Sequence, residues 1–140
     1  MNPEQIMVAA FNATMGQTVR LGERPQLPTA ADGLLFLGAR NDRGWAGGLL
    51  AEELEEIRTA LEAGELPDLV DGIVDLIYVA LGLANAVGVA LAPVFAAVHA
   101  ANMKKVTGLK RADGKALKPE GWEPPDIAAV LRTQGWRGDQ

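Results

Sequence analysis

The stretch from Ala51 to Val87, AEELEEIRTALEAGELPDLVDGIVDLIYVALGLANAV, decides how this chain folds. Two helices are legible in and around it. Leu49, Leu50, Leu54, Ile57 and Leu61 recur at spacings of three, four and seven, which predicts a helix from about Trp45 to Ala63. Ala63-Gly64 closes it, and Pro67, tolerated in a first helical turn, opens a second helix that runs to about Val87. The connector is short, so the two helices pack antiparallel.

Both helices carry acids at helical spacing. Glu52, Glu53 and Glu56 fall within an arc of roughly 100° on the first helix, with Glu55 about 60° outside it. Asp68, Asp71 and Asp75 fall within roughly 60° on the second. Past Asp75 that helix is apolar almost all round, which predicts burial. Like charges one turn apart repel even in water, and partial burial raises the cost steeply. Arg58 is the only Lys or Arg between Trp45 and Lys104. Six carboxylates therefore converge with little to neutralise them, and a divalent cation is the simplest solution. Taken alone, Glu52-Glu53-Leu54-Glu55-Glu56 reads as a common solvated helix surface. Its pairing with the Asp face gives it meaning.

Working outward, Asn2-Pro3 reads as a helix cap, followed by a helix from Glu4 to Met15 whose apolar face holds Ile6, Ala9, Ala10 and Ala13. Gly22 to Ala31 is a proline-containing loop. Leu34 to Leu37 is a helical turn, and Asn41-Asp42-Arg43-Gly44 is a turn signal. A charge-free run from Leu76 to Ala101 is long enough to span a bilayer. Asn85, Gly88 and Pro93 interrupt it, so it reads as two buried helices joined near Gly88–Leu91, the second ending near Lys105. The tail from Gly108 to Pro125 is irregular, and a last helix covers Asp126 to Thr133. No strand pattern competes. The expectation is an all-α bundle of four to five main helices with an irregular C-terminal tail, one domain over residues 1–140.

The composition removes several function classes. There is no cysteine and one histidine, His99, so thiolate and multi-histidine metal sites are excluded. A metal must be held by oxygen, which favours Mg²⁺ or Mn²⁺. A di-iron carboxylate bundle needs Glu-x-x-His, and the residue three before His99 is Ala96. The net charge of −5 argues against a polynucleotide partner. The N-terminus has no basic leader region, so the expected location is the cytoplasm.

The charge is split along the chain: eight of the 13 Lys and Arg residues lie from Lys104 onward. That suits a metal-bound polyphosphate, whose far oxygens need cations. Asn102, Lys105, Lys115 and Lys118 are the substrate-binding candidates. Trp122 either stacks a base or pins the tail to the core.

These residues resemble the all-α NTP pyrophosphatase superfamily, the MazG-like and dimeric-dUTPase-like enzymes, marked by an ExxE helix followed by an ExxD helix. Glu53-x-x-Glu56 matches the first half, with Glu52 as an extra acid. Asp68, Asp71 and Asp75 stand for the second, leading into Leu76-Ile77-Tyr78-Val79. His99 to Lys105 and Gly114-Lys115-Ala116-Leu117-Lys118-Pro119-Glu120-Gly121-Trp122 are similar to the phosphoribosyl-ATP pyrophosphohydrolase-like branch. Two departures stand out. Gly72 occupies the first position of ExxD, so Asp71 or Asp68 must supply that carboxylate. Asp32 to Gly44 is also unlike the single long helix expected before ExxE.

The resemblance implies hydrolysis of a (d)NTP between its α and β phosphates, with dUTP, dCTP or non-canonical nucleotides as candidates, in a homodimer or higher homo-oligomer with its site near the interface. Glu52, Glu53, Glu56, Asp68, Asp71 and Asp75 would hold two or more Mg²⁺, and Glu53 would take a proton from the attacking water. The rival expectation is a module that binds metal-nucleotide without cleaving it, or that only assembles as a helical oligomer.

Overall fold

The computed structural model describes residues 2–106 and 109–138. Among the described residues, six helices and one small hairpin follow in chain order: α1 Pro3–Thr14, α2 Ala30–Leu37, β1 Ala39–Asn41, β2 Gly44–Ala46, α3 Leu49–Ala63, α4 Leu66–Val87, α5 Leu91–Met103 and α6 Ile127–Thr133. The fold is all-α, as expected. The hairpin was not expected. Asn41-Asp42-Arg43-Gly44 does form a turn, but it joins two three-residue antiparallel strands, with Arg40 opposite Trp45.

Local chemistry sets most boundaries. The Asn2 side chain accepts a hydrogen bond from the Gln5 amide, with Pro3 in the first turn. Thr29 and Asp32 form a reciprocal capping box, which starts α2 four residues before the turn expected at Leu34. Gly47 and Gly48 both have positive φ, so α3 begins at Leu49 and Trp45 belongs to β2. Left-handed Gly64 and Gly88 end α3 and α4. The break at Gly88 divides the long uncharged run as the sequence predicts. Taken by length and composition alone, α4 could cross a bilayer. Its three aspartates and its packing on α1, α2 and α3 make it the central helix of the bundle.

The buried core is small: Val8, Phe36, Ala60, Leu81, Ala84, Ala86 and Ala101. A polar network runs through it. Asn85, fully buried, donates to the Gln5 carbonyl and to Asn12. The Gln5 side chain bonds the Val89 carbonyl and the Leu91 amide, and Gln134 bonds both backbone groups of Ala90. Two glutamines thus clamp the α4–α5 turn and set where α5 leaves the bundle.

One burial expectation is corrected. The α4 helix is fully buried only around Gly72 and from Leu81 onward, whereas Val70, Ile73, Val74 and Ile77 line an exposed apolar face. On α1, Gln5, Val8 and Asn12 turn inward, and Ile6, Ala10 and Ala13 of the apolar face lie exposed.

Candidate metal centre

The α3–α4 hairpin brings three carboxylates together. Glu53 and Glu56 lie one turn apart on α3, and Asp75 faces them from α4. One oxygen from each lies within 4.8 Å of the other two. Glu53 and Asp75 are half-buried, and Glu56 is exposed. The Oε2 of Glu53 has essentially no solvent contact and no hydrogen-bond partner. Burial pushes the Glu53 carboxyl above the usual carboxylate range, and the negative charges of Glu56, Asp75 and Glu52 push the same way. Arg58 does not relieve this charge, because its guanidinium pairs with exposed Glu55 at 3.3 Å.

An orphaned, dry carboxylate oxygen among further oxygen donors fits a hard divalent cation, which would supply the missing partner. The donor set contains oxygen alone, as the composition required.

Glu52, Asp68 and Asp71 are placed differently. With Glu55 and Glu56 they line an open cavity of about 550 Å³ beside the triad, floored by Thr59, Ala60 and Ala63. Glu55, expected outside the acidic arc, is part of this wall. The six sequence-selected acids therefore divide into a tight triad and an open wall, with Glu56 belonging to both. Gly72, where the ExxD pattern has an acid, is fully committed to packing. A Cβ there would lie 2.9 Å from Cγ1 of Ile57.

The basic tail builds on the end of α5. The Trp122 indole donates to the Ala101 carbonyl at 2.7 Å, which ties the tail to the helix. The Lys105 and Lys118 ammonium groups lie 4.7 and 5.1 Å from the Trp122 ring centroid. Of the two readings of Trp122, this geometry is the pin. Asn102 lies exposed in the last turn of α5. Lys115 lies exposed after a turn in which Arg111 pairs with Asp113, and its amide bonds Asp113. His99 is exposed on α5.

Sequence reading missed the Arg40–Trp45 hairpin and the glutamine clamp. The turn signal and the Thr29-x-x-Asp32 spacing could have exposed the α2–hairpin arrangement. Nothing local marks Gln5 or Gln134, because their partners are 84 and 44 residues away.

A helical hairpin with facing carboxylates and an oxygen-only donor set is an all-α arrangement that could hold a divalent cation. Residues 39–102 match the family model for phosphoribosyl-ATP pyrophosphohydrolase, from β1 through nearly all of α5. That family lies within the MazG-like all-α NTP pyrophosphatase superfamily, and this segment of the chain is similar to it. The family's name is that of a pyrophosphohydrolase, an enzyme acting on acid anhydrides. Comparison with curated proteins gives no match.

Proposed function

We propose that this protein is a Mg²⁺-dependent nucleoside triphosphate pyrophosphohydrolase that converts a (d)NTP to the monophosphate and pyrophosphate. The observation that carries the reading is the dry, unpartnered Oε2 of Glu53, on a carboxylate that brings one oxygen within 4.8 Å of oxygens of Glu56 and Asp75. Glu53, Glu56 and Asp75 would hold the primary cation. Glu52, Asp68 and Asp71 line the adjoining cavity, where a second cation and the substrate phosphates would sit. Mn²⁺ suits the same oxygen set. A bound divalent cation supplies charge neutralisation for the phosphates and a more acidic bound water.

The chain's own residues do the rest. Glu53, beside the cation, would accept the proton of the attacking water. Lys105 and Lys118, gathered on Trp122, and Lys115 in the neighbouring turn offer positive charge to the leaving pyrophosphate. Asn102 lies in the last turn of α5 beside them and offers an amide to the same phosphates.

The exposed Val70, Ile73, Val74 and Ile77 face of α4 supports a homodimer. Such a face costs free energy in water, and a second copy would cover it beside the acids. The cytoplasm, where nucleotide pools lie, is the proposed location.

The test is pyrophosphate release from a panel of canonical and modified (d)NTPs, with dUTP, dCTP and phosphoribosyl-ATP included, in Mg²⁺ or Mn²⁺. Release from at least one substrate, lost with EDTA, is expected. No release from any of them overturns the reading.

A further inference from the structure

The β1–β2 hairpin is costly to build and buries little. Its strand residues are exposed or half-exposed. Yet it is seated on the end of α2 by contacts that only glycine permits. A Cβ on Gly38 would lie 2.0 Å from the Ala46 carbonyl oxygen, and one on Gly48 would lie 2.4 Å from the Leu37 carbonyl carbon. Both glycines have φ of +84°, where a side chain would be strained in any case. The backbone is therefore held in one place without contributing to the core. What it holds there is Trp45, 52% exposed, with the Arg40 guanidinium 5.6 Å from its ring centroid across the strand pair.

Trp45 lines two apolar cavities. The outer one is shared with Arg40 and walled by Leu27 and Leu34. The inner one, about 320 Å³, is walled by Phe36, Leu37, Leu50, Leu54 and Leu76, and Arg40 is not part of it. This volume is at the lower end of what small ligands occupy, about 300–1,000 Å³. Its position is the telling point. Leu54 directly follows Glu53 and Leu76 directly follows Asp75. The apolar cavity and the carboxylate triad thus occupy adjoining flanks of the same two helices.

We infer that Trp45 and the inner cavity bind the planar base of the nucleotide whose phosphates meet Glu53, Glu56 and Asp75. The inference rests on the proposed hydrolase reading and deepens it by naming where the base sits. An aromatic ring exposed beside an apolar slot stacks any base through its π-face. Arg40, on the outer side of the indole, steadies the ring and lends it a positive edge. A purely apolar slot around the base contains few donors or acceptors to discriminate one base from another. Recognition by shape and stacking follows, so the site accepts a set of bases of similar size rather than one alone.

Isothermal titration in Mn²⁺ tests this with two kinds of probe. The nucleoside monophosphates carry a base and no anhydride to cleave, and inorganic tripolyphosphate carries phosphates and no base. At least one monophosphate binds the wild type. Trp45→Ala weakens it about tenfold, the size expected of one lost base–aromatic stack. Trp45→Phe restores most of the affinity, and tripolyphosphate binding stays within about twofold throughout. Unchanged monophosphate affinity in Trp45→Ala overturns the inference, as does equal loss of both probes. A Trp45 emission that shifts with protein concentration and ignores monophosphates overturns it too, since a second copy then covers the ring. The two readings fail separately. Monophosphate binding through Trp45 without pyrophosphate release keeps the base platform and removes the hydrolase. Pyrophosphate release with the same KM in Trp45→Ala does the reverse.

Discussion

Gly72 of α4 lies against Ile57 of α3 so closely that a Cβ on the glycine would be 2.9 Å from Ile57 Cγ1. This contact sets the distance between the two helices that carry the acids. It also accounts for the glycine, rather than a carboxylate, three residues before Asp75. The position is consumed by helix packing, and an acid there would push α4 away from α3 and open the triad. Gly72→Ala is expected to cost about 1–3 kcal/mol as overpacking. Ile57→Ala in the same chain should return part of that loss by making room. Chemical denaturation of the two variants and the double variant measures it, and additive losses would remove the contact from the account.

Glu53→Gln is expected to lower pyrophosphate release by at least about 10²-fold, the usual scale for losing a positioned proton acceptor. The isosteric amide keeps the packing, so helical circular dichroism should be unchanged. Activity within a few-fold of wild type would take Glu53 out of the chemistry.

The raised Glu53 pKa makes a signed prediction for the metal-free protein. The folded state holds this proton more tightly than the unfolded chain, so protonation stabilises the fold. That contribution is fully present below the ordinary carboxylate range and is lost as pH rises through the higher folded value. Wild type should therefore lose stability relative to Glu53→Gln as pH rises across that window. Saturating Mn²⁺ should reverse the trend, because the cation favours the ionised form. Parallel melting curves for the two proteins at every pH, without metal, would contradict the assignment.

Metal binding should appear as stability before it appears as activity. At a cation concentration of 100 times Kd the fold gains about 2.7 kcal/mol. Asp75→Asn should remove most of the gain, since Asp75 is the only member of the triad contributed by α4. Asp68→Asn should remove less, because that residue lines the open cavity and not the triad. Thermal melts with and without Mn²⁺ read both, and an equal effect of the two substitutions would dissolve the division into triad and wall.

Ile77→Glu, placed in the middle of the exposed α4 face, should convert the proposed dimer to a monomer in sedimentation velocity. An unchanged sedimentation coefficient would move the interface elsewhere.

Much of this protein could be read from periodicity and punctuation. The hydrophobic spacing of Leu50, Leu54, Ile57 and Leu61, Pro67 in the first turn of α4, and the glycines at 64 and 88 gave α3, α4 and α5 with their ends correct to a few residues. Helix boundaries are local, so a linear sequence carries them. The same arithmetic placed Glu53, Glu56 and Asp75 on faces that could meet. Local spacing could not say which acids do meet. Glu52, Asp68 and Asp71 satisfy the spacing as well as the triad does. The closeness of α3 to α4 at Gly72–Ile57, set by packing between residues 15 apart, selects three of the six and leaves the others on an open wall. Tertiary structure alone also turned the apolar face of α1 outward in favour of Gln5, Val8 and Asn12, because the α4–α5 turn needs polar partners from far along the chain. The sequence by itself determined the helices and the kinds of ligand atom this protein offers. Only the packing of α3 against α4 decided which carboxylates come together and left one oxygen of Glu53 dry and without a partner.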